Sequence, residues 1–259
     1  FTQRNLRYVS PSYPGFGLSD AHPPGKISPA VEWWPGDIEQ LADSLGIDKF
    51  YILSHSLGGM YAAATIQKMP ARVLGCVLAS PIIPMPIQLT LDHRMPKVTK
   101  LFYKLFMKPY FRELVSMSMA SQPIEKVLEA SPDSAQALNK MREEGGAYEE
   151  IGNAIYADCN RAISNTWRGL ACTMELISHS WGFELNGLSS YAQSGKRFVI
   201  AAAVDDVTNP NEFHQWLNRE INGSRLLDIK EGWGHMFVFE PQNLELLISC
   251  LLEKDIPCF

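Results

Sequence analysis

The sequence lacks any run long and apolar enough to cross a lipid bilayer as a helix, which excludes a transmembrane helical anchor within it. It also lacks an excess of positive charge. With 23 Lys and Arg against 28 Asp and Glu, the net charge of -5 excludes the broad electrostatic footprint of a nucleic-acid binder. Cysteines are few and scattered: Cys76, Cys159, Cys172, Cys250 and Cys258 form no C-x-x-C pair and no Cys/His ligand spacing. Neither a disulfide framework nor a structural metal centre is implied, and a reducing, cytoplasmic compartment is expected. Cys258, second from the end, does not form a prenylation box. There is no internal repeat, no low-complexity segment and no motif for a metal or an organic cofactor. The chain opens on Phe1 rather than methionine and shows no secretory or transit segment, so we expect it to begin inside a longer product.

What is present is a core-forming chain. At 259 residues and 46% hydrophobic, it is large enough to bury a sizeable interior. Its organising stretch is Ser54-His55-Ser56-Leu57-Gly58-Gly59. Upstream, Lys49 to Leu53 reads as a fully buried parallel strand, and downstream the alanine-rich run from Met60 to Met69, closed by Pro70, reads as a helix. Ser56 therefore sits at the apex of a strand-to-helix turn. Such a turn pushes a serine hydroxyl out at the carboxyl end of a sheet, provided that the residues two before and two after are small. Ser54 and Gly58 meet that need, although Ser54 stands where the usual G-x-S-x-G motif has glycine.

Around this turn the pattern alternates. Leu6 to Ser10 reads as a strand, and Ser28-Pro29 starts a helix that runs to Gly46, with a kink or restart at Pro35-Gly36. Val73 to Ala79 is a second buried strand ending at Ser80-Pro81. From Ile82 to about Lys196 strand signals stop, and a helical pattern spans Ala147 to about Ser178. Then follow a strand over Arg197–Val204, a helix over Asn209–Glu220, a strand over Leu226–Lys230 and a final helix over Asn243–Leu252. Strands alternating with helices predict an α/β fold, a mostly parallel, doubly wound sheet covered on both faces, with an inserted helical cap. We divide the chain into core (1–84), cap (85–195) and core (196–259).

A neutral serine needs a base and an orienting acid, and in a parallel sheet these come from loops after later strands. Asp205-Asp206 follows one strand, and Gly234-His235 follows the next. The chain order Ser, Asp, His places nucleophile, orienter and base on strand ends.

With these residues in view, the sequence resembles the α/β-hydrolase superfamily. The likeness runs from Tyr13-Pro14-Gly15-Phe16-Gly17-Leu18-Ser19-Asp20, through the Ser56 turn and the Asp206 loop, to Gly234-His235 and Glu240-Pro241. The superfamily's acid commonly precedes a proline by four residues, which selects Asp206, with Pro210, over Asp205. The resemblance implies that Ser56 attacks an acyl carbonyl, His235 relays the proton, Asp206 fixes the imidazole, and the Leu57 backbone N–H is one oxyanion donor. The superfamily's second donor comes from a His-Gly type loop that would lie ahead of Phe1, so either the chain is truncated and N-terminal strands are missing from it, or the oxyanion hole is incomplete. Ser12 stands where many relatives have aspartate, which leaves the three catalytic candidates untouched.

The implied activity is a serine-dependent carboxylic ester hydrolase acting on a small-molecule acyl substrate with a lipophilic portion. Serine at the turn disfavours epoxide opening and dehalogenation, which use aspartate there. Acyltransferase, thioesterase, peptidase and carbon-carbon hydrolase chemistry share the same residues, and a non-catalytic ligand- or partner-binding member is the rival from another class. His55 reads as a packed neighbour of the turn; His22, His93, His179 and His214 read as structural or surface residues. The basic, aromatic stretch from Arg94 to Arg112 reads first as a cap helix with solvated lysines, and second as a weak contact for an anionic membrane surface.

Overall fold

The computed structural model describes residues 5–21, 29–91, 97–106, 108–164 and 167–252. Its centre is a parallel sheet of β1 (Phe50–His55), β2 (Val73–Ala79), β3 (Arg197–Ala203) and β4 (Arg225–Ile229), in that spatial order. In strands β2 and β3 successive side chains point to opposite faces, and both faces are apolar. Cys76, Leu78, Phe198 and Ile200 pack on one side with Val31 of α1 (Pro29–Ser44), Ala63 and Ile66 of α2 (Gly58–Lys68), and Phe213 and Leu217. Val77, Ala79, Val199 and Ala201 pack on the other with Leu247, Cys250 and Leu251. This two-sided burial explains why the strands read as continuous apolar runs.

Between β2 and β3 the described chain is helical: α3 (Met85–Leu91), α4 (Lys97–Phe106), α5 (Pro109–Ala120), α6 (Ile124–Glu129), α7 (Pro132–Glu144), α8 (Ala147–Ile163), α9 (Arg168–Ser178) and α10 (Gly187–Gln193). These helices seat differently. Ala137, Leu138 and Met141 of α7 and Ile155 of α8 belong to the same apolar cluster as β2 and β3, whereas α4 and α5 rest on α9. The core closes with α11 (Asn211–Glu220) after β3 and α12 (Pro241–Leu252) after β4.

Several sequence expectations need correction. Leu6–Ser10 forms no strand; Tyr8 and Val9 are both exposed, and β propensity is not realised without a partner ladder and a buried face. Strand β1 is half-buried rather than fully buried, with Tyr51 exposed, because among the described strands it has a neighbour only in β2. Helix α1 runs through Pro35 as one element, since burial of Val31 and Trp34 outweighs the single hydrogen bond that proline removes. The helical pattern over 147–178 is split into α8 and α9. Past the break, Gly169 lies so close to Gly15 that a Cβ on Gly15 would stand 2.9 Å from the Gly169 Cα, and the Gly17 N–H donates to the Ala162 carbonyl at 3.0 Å. The turn-rich loop thus docks where the long helix breaks. His22, His93, Arg94 and Cys258 lie outside the described residues.

Candidate active site

Ser56 follows β1 directly and has φ of 53°, a left-handed conformation that a non-glycine residue adopts at a cost on the order of 1 kcal/mol. The surrounding bonds hold it there. Its N–H donates to the Ala79 carbonyl at 2.9 Å, and its carbonyl accepts from Gly59 at 3.0 Å and Ile82 at 3.1 Å. A side chain on Gly58 would stand 2.8 Å from the Tyr13 hydroxyl and 3.2 Å from the Ser54 Cβ, and one on Gly59 would meet Pro81 at 2.7 Å. Tyr13 in turn stacks on Tyr61 of α2 at 4.3 Å. Strand, helix and the Tyr13 loop therefore pass closely here, and a side chain at position 58 or 59 would have to displace Tyr13 or Pro81. Serine at position 54 is accommodated.

The turn brings the Ser56 Oγ to 2.9 Å from the His235 Nε2, while the His235 Nδ1 lies 3.0 Å from the Asp206 Oδ2. His235 comes from a 3₁₀ turn, Gly234–Phe239, after β4, and Asp206 from the loop after β3. With Asp206 ionised, the Nδ1 carries the proton and donates to it, and the Nε2 accepts from Ser56. Asp206 is buried, which pushes its carboxyl upward, but the hydrogen bond and charge of His235, the Asn209 N–H at 2.7 Å and the Ser80 hydroxyl outweigh that and hold it below its ordinary value. Asp205, the other candidate, turns away; its Oδ2 accepts from the Gly232 N–H at 2.6 Å and ties the Asp loop to the His loop.

Leu57, the fourth residue singled out from sequence, is the entry residue of α2, where backbone N–H groups lack intrahelical acceptors. An anion beside Ser56 would meet the positive end of that helix.

His55 supports the site from behind. Its Nε2–H donates to the His235 carbonyl at 2.8 Å, and the two rings lie 4.7 Å apart. Burial, reinforced by the neighbouring His235, lowers its pKa to about 3, so it is neutral at physiological pH. His214 of α11 is fully buried, and burial lowers it to about 4. His179 is the residue capping the end of α9.

Three supporting residues were not singled out from the sequence. Ser80, at the end of β2, is fully buried with φ of 45°; its hydroxyl donates to Asp206 and lies 3.2 Å from the His235 Nδ1. Asn209 locks the arrangement by donating through its side chain to the Ser80 carbonyl at 2.9 Å. Asp133, from the first turn of α7, accepts from the Thr208 N–H at 2.8 Å and from the Thr208 hydroxyl at 2.6 Å, and its carboxylate fills the space against Gly234. The available signal for Ser80 was positional: it ends the strand next to the nucleophile turn, at the sheet edge where Asp206 and His235 converge. Asp133 had no signal, since only the fold brings α7 to the two loops. Among the described residues, no cluster of three or more His, Cys, Asp or Glu could hold a metal ion.

A family model described as "alpha/beta hydrolase fold" matches residues 2–242. No curated protein matches the sequence. Among solved structures, the chain is similar to a thermophilic esterase from Thermogutta terrifontis, with a TM-score of 0.62 and 17% identity over 92% of this chain and 75% of that one. It is similar to a hydrolase from Pseudomonas aeruginosa PA01, with a TM-score of 0.60 and 17% identity over 93% and 77% of the two chains. A third likeness is to a 2-hydroxy-6-oxo-6-phenylhexa-2,4-dienoate hydrolase from Rhodococcus sp. strain RHA1, with a TM-score of 0.57 and 18% identity over 91% and 75%.

Proposed function

The chain belongs to the alpha/beta hydrolase fold family, and from that premise we propose that it is a serine hydrolase that cleaves a carboxylic ester through an acyl-enzyme. The observation that carries this reading is the continuous Ser56–His235–Asp206 array, with the serine in a positive-φ turn at the end of β1. Ser56 attacks the acyl carbonyl carbon as its proton passes to the His235 Nε2. The imidazolium is stabilised by Asp206, which stays ionised. The oxyanion of the tetrahedral intermediate takes a hydrogen bond from the Leu57 N–H. Collapse expels the alcohol, which leaves with the proton from the Nε2, and Ser56 keeps the acyl group. Water then attacks that ester with His235 again as base, and the acid is released.

We further propose a substrate with a lipophilic acyl or alcohol portion. Support comes from the methionines, seven of the ten of which lie between β2 and β3, since their flexible side chains suit an adaptable apolar pocket. Hydrolysis of p-nitrophenyl esters from acetate to palmitate tests both statements. Turnover rising toward medium or long acyl chains, and abolished by Ser56→Ala, is expected. A flat series would remove the lipophilic preference, and turnover surviving in the variant would remove the serine mechanism.

A further inference from the structure

Helices α4 and α5 form a connected pair on the outside of the molecule. Both pack against α9, so each turns one face inward and one outward. On α5 the inward face is defined by Arg112 and Ser116, both buried, with the Arg112 guanidinium 3.3 Å from Glu175 of α9. The opposite face carries Tyr110, Leu114 and Met117 at helical spacing. Tyr110 is 89% exposed and Leu114 65% exposed. On α4, among the residues whose side chains are described, Lys97, Leu101, Lys104 and Leu105 are exposed, followed by Lys108 at the turn into α5. At 100° per residue these fall within about a third of the helix circumference. Leu101 is 58% exposed.

Single exposed leucines need no explanation, but here Leu101, Leu105, Tyr110, Leu114 and Met117 occur within two adjacent helices and share their surface with lysines. The charge there runs against the rest of the chain. Leaving aside Arg112, which is buried against Glu175, residues 97–120 carry Lys97, Lys100, Lys104 and Lys108 against Glu113 alone, in a protein of net charge -5. We propose that the outer face of α4 and α5 docks on an anionic lipid surface. The lysine stems lie along the apolar side chains and lift their ammonium groups to lipid phosphates and carboxylates. Leu101, Leu105, Leu114 and Met117 enter the acyl boundary, and Tyr110 sits at the headgroup level. A polar protein partner would not explain the exposed apolar side chains, and a second copy meeting the same face would oppose lysine to lysine. No described helix is long and apolar enough to cross a membrane, so the contact is peripheral. The proposal is independent of the chemistry at Ser56.

Vesicle flotation tests it, with phosphatidylcholine vesicles made with and without phosphatidylserine. The protein should float with the phosphatidylserine vesicles, be left behind by phosphatidylcholine alone, and dissociate as salt is raised. A Lys97→Glu, Lys104→Glu, Lys108→Glu variant should lose affinity by roughly fivefold or more per lysine. A Leu101→Ser, Tyr110→Ser, Leu114→Ser variant should also be released although its charge is unchanged. Thermal melting of each variant separates loss of docking from loss of fold. No binding to the anionic vesicles, equal binding to neutral ones, or full binding by both folded variants would overturn the proposal. So would a concentration-dependent dimer, seen by sedimentation, that both variants dissolve, because it would assign this face to a second copy.

Discussion

At the residue scale, the sequence leaves two adjacent aspartates as candidates for the orienting acid, and geometry separates them. Asp206 faces His235, whereas Asp205 holds the Gly232 N–H. Asp206→Asn should lower kcat by roughly a thousandfold or more, because the amide no longer fixes the imidazole tautomer. Asp205→Asn keeps an acceptor for Gly232 and should change kcat by less than about tenfold. Equal losses in steady-state ester hydrolysis would contradict the assignment. Ser80 offers a finer distinction. Its hydroxyl is one of the donors that keep Asp206 ionised, so Ser80→Ala should reduce kcat by about tenfold while leaving KM nearly unchanged. Ser56 was legible because strand, small residue, serine, glycine and helix appear consecutively. Ser80 was not, because a serine ending a strand is ordinary until the fold sets it beside a carboxylate 126 positions away in sequence.

At the scale of elements, α7 is the piece that connects the helical insertion to the chemistry. Asp133 grips Thr208, two residues past Asp206, and abuts Gly234, the residue before His235. Lys140, two turns on, donates to the Gly232 carbonyl at 3.1 Å and lies over the Trp233 ring at 4.4 Å. Asp133→Ala removes the charged acceptor of the Thr208 N–H and hydroxyl and opens space beside the His loop. A stability loss of about 1–3 kcal/mol and a drop in kcat of tenfold or more are expected, read by denaturant unfolding and by turnover of the folded variant. Unchanged kcat in the variant would mean that α7 supports the fold without holding the loops. Strands β2 and β3 were read within a residue of their observed ends because burial on both faces leaves an unbroken apolar run. Leu6–Ser10 has the same local signature without the burial, and the sequence alone does not separate the two cases. The break between α8 and α9 was hidden for a related reason: the apolar spacing continues past the end of α8, while the close approach of Gly15 to Gly169 in α9 joins residues far apart in sequence.

At the scale of the whole molecule, the titration of His214 and His55 sets an acid limit on the fold. Burial lowers His214 to about 4 and His55 to about 3, whereas both titrate near 6.5 when unfolded. Between these limits the unfolded chain binds more protons than the native one, so stability falls as pH is lowered from about 6.5. The Asp206 contribution has a different window. Its carboxyl is depressed, so its stabilisation is present above about 3.8 and is lost only as pH falls through its lower folded value. Unfolding free energy, and with it the melting temperature, should therefore decline between pH 6.5 and 4.5, and His214→Leu should remove on the order of 2 kcal/mol of that decline. A wild-type melting point constant over that range would contradict the neutral, buried assignment. The central claim is that the whole fold converges on an activated Ser56, and the most direct measurement is the intact mass of the protein after exposure to a fluorophosphonate. One adduct, absent in Ser56→Ala and strongly slowed in Asp206→Asn, is the predicted result. A folded protein that gains no adduct, or one whose adduct persists in Ser56→Ala, would contradict it.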